Sequence, residues 1–566
     1  MEVFTYVKLF LLSYAIEVTC NMISSVANDG PLVQTSLGQI LGFYRSSFEG
    51  RIFSAFEGIP YAKPPVGDLR FEAPQPALPW NDVLNANTLY ICKQAPTSFI
   101  PVSGNQGTED CLYLNVYVPK AQPSENDNYD VIVNIHGGAF MMGSSSFADP
   151  RCLMDRDIVY VNLNYRLGIL GFLSTEDGIV PGNNGLKDQQ LALKWVQAHI
   201  KQFGGNPKSV TLMGLSAGGA SVHFHYFSPQ SKGLFHRAIS QSGTALMSWA
   251  LQKGALQKTR KLAVSLNCQE TDTRTIVNCL KAIPVDDLVY KTKDFYDLAQ
   301  FPIAPFAPVV EVESEFSFLT KHPYKQLEDG EVNDLPWLTW IARDEGMLGT
   351  MFLTKLLDQV ENNWNEWSEH LFDYKYVCPD AKKKEIAEKI KSFYFKNEKV
   401  CEANIKLLTK VFGDRFFNIG FEIAIQMQAK VTNSPIYAAI YSYERSNFLQ
   451  KLMGVELEGV PHGAEGPLLH NMDSIIKMFP ELKLTDSEIL MKDILIDFVT
   501  SFAKNGKPQS NEVEWEPITT NDPKYLLIND LNDLNMVEIP ELSPKEFWKS
   551  MDFMENNQHE RSRDEL

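Results

Sequence analysis

Val210-Thr211-Leu212-Met213-Gly214-Leu215-Ser216-Ala217-Gly218-Gly219-Ala220 passes from an apolar, partly β-branched run through a glycine-flanked serine into a small-residue segment. The pattern predicts a strand over 210–213, a tight turn and a helix from about residue 217. A serine at such a corner is lifted off the end of a sheet with its hydroxyl exposed. The G-x-S-x-G spacing arises by chance in many long chains. A strand before it and a helix after it supply the context that a nucleophilic serine needs, so Ser216 is the candidate nucleophile.

The same alternation extends outward in both directions. Residues 131–135 and 158–163 are short β-branched apolar runs of the kind that forms strands buried on both faces. From 186 to 203, Ala192, Trp195, Val196, Ile200 and Phe203 recur at helical spacing, and Gly204-Gly205 followed by Pro207 ends the helix. Further strands are expected over 238–240, 338–342 and 436–443, and a late helix over 489–502. Short hairpins are expected over 32–56, a loop over the proline-rich stretch 60–79, and a largely helical region between about 250 and 430. Strand alternating with helix predicts an α/β fold with a central, mostly parallel sheet flanked by helices. No repeat or low-complexity linker divides the chain.

A nucleophilic serine needs N–H donors aimed at the developing oxyanion. His136-Gly137-Gly138-Ala139-Phe140 follows the strand 131–135. Gly138 and Ala139 would donate from one side and Ala217, next to the nucleophile, from the other. A general base is also required. His462, in Gly459-Val460-Pro461-His462-Gly463, sits in a glycine- and proline-bounded loop; His470 is its nearest rival and reads more like a core residue. Arg343-Asp344-Glu345-Gly346 follows the strand at 338–342 and offers two carboxylates, between which the residues alone do not choose.

Several ordered motifs carry a resemblance. Glu109-Asp110-Cys111-Leu112-Tyr113-Leu114-Asn115, the His136 run, NLNYRLG at 162–168, Asp188-Gln189 with Trp195-Val196, FGGNP at 203–207, the Ser216 turn and Gln241-Ser242-Gly243 together resemble the type-B carboxylesterase family, whose members include cholinesterases and insect-type esterases. The resemblance runs from about residue 32 to 547. It implies an α/β-hydrolase fold with helical insertions and a serine carboxylic ester hydrolase that forms an acyl-enzyme on Ser216. It further implies that the acid is Glu345, that the base is His462, and that Cys92–Cys111 and Cys268–Cys279 are disulfides. Trp249, six residues after Gly243, falls where the family places an acyl-pocket tryptophan, and an ungapped match sets Pro302 and Ala304 where cholinesterases carry bulky phenylalanines. Leu215 stands where cholinesterases have Glu, and no Trp lies between Cys92 and Cys111. Neutral lipophilic esters are therefore expected in preference to choline esters. The alternative is a low-turnover ester-sequestering or ligand-binding protein of the same fold.

Composition agrees with a globular enzyme and sets other limits. The 566 residues are 44% hydrophobic and 22% charged, with 52 Lys and Arg against 70 Asp and Glu, a net charge of −18 that would repel a phosphate backbone. No nucleic-acid partner, cofactor or metal is expected; the partner is a small-molecule ester. Residues 1–27 read as a signal peptide, 28–550 as one large catalytic domain and 551–566 as a polar tail. Arg563-Asp564-Glu565-Leu566 resembles an address read by the ER-retrieval receptor, which predicts the ER lumen, with secretion as the alternative. No span long and apolar enough to cross a membrane follows the signal segment. Among the eight cysteines, 92 with 111 and 268 with 279 are plausible local pairs by spacing, 378 with 401 is a weaker third, and Cys152 is left as a thiol.

Overall fold

Fourteen short extended segments among the described residues build two sheets: β1 (Leu32–Gln34), β2 (Gln39–Leu41), β3 (Phe43–Ser46), β4 (Ile52–Pro60), β5 (Leu84–Asn85), β6 (Tyr113–Val118), β7 (Tyr129–Ile135), β8 (Ile158–Leu163), β9 (Gly205–Leu215), β10 (Arg237–Gln241), β11 (Trp337–Ala342), β12 (Ile436–Tyr441), β13 (Lys524–Asp530) and β14 (Asp533–Glu538). The computed structural model describes residues 30–96, 104–444, 448–470, 483–511, 513–519, 523–551 and 553. The expected signal segment and the terminal Arg563–Leu566 address lie outside these residues.

β1, β2 and β5 form a small sheet, and the others form an eleven-stranded sheet in the order β14-β13-β12-β11-β10-β9-β7-β8-β6-β4-β3. From β8 through β7, β9, β10, β11 and β12 to β13, every neighbouring pair is parallel. The outer pairs are antiparallel, which gives the expected mostly parallel sheet hydrogen-bonded hairpin edges. All residues of β8, β11 and β12 are buried. Such strands need apolar residues on both faces, and this is why they read as continuous apolar runs.

The sheet separates two apolar layers. Val131, Val133 and Ile135 of β7 face a core that includes Leu193 and Val196 of the helix Asn184–His199. Ile132 of β7 and Met213 of β9 face the opposite layer, with Leu495, Phe498, Val499 and Phe502 of the helix Asp486–Asn505. That last helix is longer than its apolar periodicity suggests, because Thr485 and Glu488 close a capping box at its start. Six further helices between β11 and β12, from Met347–Met351 to Ile419–Val431, are the helical insertions. The basic stretch 382–391 lies in the helix Asp380–Tyr394, which buries Ile386, Ala387 and Ile390 and leaves its lysines to pair with carboxylates.

Some motif residues are structural clamps. Arg166 holds Asp188 through two side-chain bonds of 2.7 and 2.8 Å with both residues buried, tying the segment after β8 to the helix Asn184–His199. Cys92–Cys111 and Cys268–Cys279 are disulfides. Cys378 and Cys401 form no disulfide, which overturns the weaker third pairing, and Cys152 is a buried thiol.

After β7 the chain runs to β8 on one side and then crosses to β9 on the other side of β7. The chain therefore leaves the carboxyl ends of β7 and β9 in opposite directions. This opens a crevice there, the place where open α/β sheets bind ligands.

Candidate active site

The register pairs Ile135, the last residue of β7, with Gly214 of β9, so the His136 loop and the Ser216 turn leave the sheet side by side. Ser216 adopts φ 60° and ψ −123°, a strained conformation for a residue with a side chain. Its N–H donates to the Gln241 carbonyl at 2.7 Å, and its carbonyl accepts from Ala220 N–H at 2.9 Å, so both neighbours hold the strain in place. The glycines are there for space: a Cβ on Gly218 would stand 2.0 Å from the Ile135 carbonyl oxygen, and one on Gly137 would stand 2.6 Å from that of Leu215. The helix Ala217–Phe227 begins at the residue after the serine, and the first N–H groups of a helix have no partner inside it.

Facing that helix start, Gly138, Ala139 and Phe140 all have positive φ, at 110°, 55° and 61°. The Gly138 carbonyl is turned into its own loop, where Met141 and Met142 donate to it at 2.9 and 3.0 Å. Among the described residues, no backbone carbonyl accepts from Gly138 or Ala139 N–H. Tyr165 OH donates to the His136 carbonyl at 2.9 Å and anchors the base of the loop.

His462 and Glu345 meet across 117 residues of sequence. His462 Nδ1 donates to Glu345 Oε2 at 2.6 Å, and the other carboxylate oxygen accepts from Ala342 N–H at 2.7 Å. Glu345 is fully buried, and the Phe417 ring lies 4.8 Å from the imidazole, so orientation is fixed by a charge on one edge and packing on a face. With Nδ1 committed to the carboxylate, the lone pair of Nε2 is available as a base. Asp344 does a different job: its Oδ2 accepts from Val460 N–H at 2.8 Å, and its own N–H donates to the Val460 carbonyl at 2.9 Å, which pins the loop carrying His462.

Ser216, Gly138, Ala139 and His462 line one cavity of about 340 Å³. Among the described residues no Asp, Glu, Lys or Arg side chain lines it, and its walls are largely apolar. Trp249 forms part of a wall, with its Nε1 donating to the Phe416 carbonyl at 3.0 Å and the Phe140 and Phe417 rings each 6.1 Å away. In the segment expected to supply Pro302 and Ala304, it is Ile303 that lines the cavity. Pro302 and Ala304 are not among its lining residues.

Two contributors escaped the reading of the sequence, and a third was read there only as a core residue. Phe417 reaches the site from the insertion between β11 and β12 and carries no local signal. Glu465, three residues after His462, is fully buried; its Oε1 accepts from Trp340 Nε1 at 3.0 Å, and burial, with Glu345 close by, raises its carboxyl pKa. His470 is buried, as a core residue would be, yet it also lines the cavity.

Comparisons with known proteins agree with this geometry. The sequence model described as "Carboxylesterase family" matches residues 29–548. Venom carboxylesterase-6 of Apis mellifera is 38% identical over 537 residues, covering 93% of this chain and 95% of its own. Esterase FE4 of Myzus persicae is 38% identical, covering 90% and 91%. The crystal structure of juvenile hormone esterase from Manduca sexta, with OTFP covalently attached, superposes with a TM-score of 0.80 at 27% identity, covering 92% of this chain and 99% of that one. With the α/β-hydrolase sheet and so long a match on both sides, the chain belongs to the carboxylesterase family and is a carboxylic ester hydrolase.

Proposed function

We propose that this enzyme hydrolyses neutral lipophilic esters through an acyl-enzyme on Ser216. The observation that carries the reading is the 2.6 Å contact of His462 with the buried Glu345 in a loop that lines the same cavity as Ser216. His462 Nε2 takes the Ser216 hydroxyl proton as Oγ bonds to the ester carbonyl carbon. The N–H groups of Gly138, Ala139 and Ala217 stabilise the oxyanion. The C–O bond to the alcohol breaks as His462 returns the proton to the departing oxygen. A water, deprotonated by His462 in turn, attacks the acyl-enzyme, and collapse releases the carboxylic acid and restores Ser216. Glu345 holds the imidazole and stabilises its charged form.

The apolar walls and the absence of a charged side chain among the described lining residues favour uncharged esters, because a buried cation would find no counter-charge. The covalent attachment in the Manduca sexta enzyme supports a covalent mechanism for the fold. Two disulfides fit an oxidising compartment, as in the secretory route. The test is pre-steady-state hydrolysis of p-nitrophenyl butyrate beside acetylcholine. The reading expects a burst of nitrophenol followed by sustained turnover, with kcat/KM at least about tenfold above that for acetylcholine. A burst that stops at one equivalent would show sequestration, and efficient acetylcholine hydrolysis would refute the account of the pocket.

A further inference from the structure

Between β11 and β12 the helices Ile405–Gly413 and Ile419–Val431 are joined by a π-helical turn, Asp414–Asn418, in which Ile419 N–H donates to the Asp414 carbonyl five residues back. Such a turn winds in one residue more than an α-helix would, a rare conformation that recurs at functional sites. Here it is held from two sides. Asp414 is fully buried, and its carboxylate accepts from Tyr394 OH, Asn418 Nδ2 and Lys410 Nζ at 3.0, 3.0 and 3.1 Å. The segment that follows β10 reaches it with three side chains: Ser248 Oγ donates to the Arg415 carbonyl at 3.1 Å, Trp249 Nε1 to that of Phe416 at 3.0 Å, and Thr244 Oγ1 to that of Gly420, just beyond the turn, at 3.2 Å. That segment starts from the end of β10, where the Gln241 carbonyl accepts from Ser216 N–H. The turn is thereby tied to the strand end that holds the backbone of the nucleophile.

What the turn delivers is Phe417. Its ring is 2% exposed, lines the cavity and lies 4.8 Å from the His462 imidazole at 39°. Among the described residues, no other aromatic ring packs on that imidazole. The hydrogen bond from Nδ1 to Glu345 fixes one atom of the ring but lets the ring tilt about that contact, and a tilt moves Nε2, on the far side, the most. Proton transfer needs its two heavy atoms at about 3 Å, so a small displacement of Nε2 is costly. The two transfers in the mechanism above do not depend equally on this placement. Ser216 Oγ is fixed to the protein, whereas the departing oxygen moves away as its bond breaks. Delivery of a proton to it matters most when the alcohol is a weak acid, because a phenoxide departs unaided.

Resting on the acyl-enzyme reading, we propose that Phe417, set in place by the π turn, is a positioning residue that keeps His462 Nε2 aimed at the departing oxygen, and that it thereby lets the enzyme cleave esters of weakly acidic alkyl alcohols as well as activated aryl esters. Phe417 takes no proton itself. It acts by filling the space into which the imidazole would otherwise tilt.

The test compares phenyl butyrate with cyclohexyl butyrate, which share an acyl group and a six-carbon ring. Phenoxide leaves without a proton, whereas the cyclohexyl alkoxide must receive one. The readout is kcat/KM for the phenyl ester over kcat/KM for the cyclohexyl ester, a ratio that does not depend on how much of a preparation is folded. Phe417→Ala should raise this ratio about tenfold, one decade of the roughly 10²- to 10⁴-fold that a placed general acid supplies. Phe417→Leu, which keeps apolar bulk against the imidazole, should fall between it and the wild type. Simple enlargement of the cavity would act the other way, since the thicker cyclohexyl ring gains more from added room. A ratio unchanged or lowered in Phe417→Ala overturns the proposal, as does a wild type that turns over the phenyl ester alone. No turnover of either ester by the wild type defeats the acyl-enzyme reading and this inference together.

Discussion

His462 Nδ1 donates to Glu345 Oε2 at 2.6 Å, while the adjacent carboxylate, Asp344, accepts from the backbone of Val460 in the His462 loop. Two neighbouring acids, which look alike in the sequence, thus hold the same loop in different ways, one by its side chain and one by its main chain. Glu345→Gln should lower kcat by about 10⁴-fold, as loss of the carboxylate partner does in other triads. Asp344→Asn keeps an oxygen for Val460 N–H and should cost less than about tenfold. Hydrolysis of p-nitrophenyl butyrate by both variants checks this, and the reverse pattern would move the acid to Asp344.

Burial pushes the pKa of His136, His223 and His470 down to about 4 and that of His225 to about 3. Removal from water disfavours the charged ring, and at His223 the neutral form also fits the contacts, with Ala245 N–H donating to Nδ1 at 3.1 Å and Nε2 donating to Gln428 Oε1 at 2.9 Å. An unfolded histidine titrates near 6.5, so between about 6.5 and 4 the unfolded chain binds more protons than the folded one. Stability contributed by these rings is therefore full above about pH 6.5 and falls as the pH drops through that window. Each ring should contribute a loss of roughly 1.2 kcal/mol between pH 7 and 5.5. Urea unfolding at the two pH values should show His223→Gln losing less stability than the wild type by about that amount; an equal loss would mean that His223 is solvated and charged in the native state.

Trp249 closes one wall beside Phe140 and Phe417. Trp249→Leu should raise the ratio of kcat/KM for 2-methylbutyrate over acetate esters by about tenfold, since it removes bulk from the acyl wall. It also leaves the Phe416 carbonyl without its indole donor, at a stability cost on the order of 2 kcal/mol or more with the lost packing. An acyl profile indifferent to the change would place the acyl group elsewhere.

The central strands and the Ser216 turn were legible because burial on both faces of β8, β11 and β12 leaves continuous apolar runs, and because a sharp strand-to-helix corner demands glycine at Gly218. β13 and β14 were not anticipated, since their asparagine- and aspartate-rich junction masks the strand signal. The choice between Asp344 and Glu345 depends on which carboxylate the fold turns toward His462, a relation no local pattern contains. Phe417 and Ile303 reach the cavity from insertions far from Ser216 in sequence, where no local pattern marks a lining residue. Spacing left Cys378 with Cys401 as a weaker third pair, which the fold does not form, because spacing says nothing of where the chain brings thiols together.

The central claim is that Ser216 carries the acyl group, and intact-protein mass spectrometry after exposure to a serine-directed organophosphate, with kcat measured in parallel, tests it most directly. Wild-type enzyme should gain a single adduct on the peptide containing Ser216 and lose all activity. Folded Ser216→Ala should gain none and show kcat lowered by on the order of 10⁴-fold or more. An adduct on another residue, or substantial turnover by Ser216→Ala, would contradict the account.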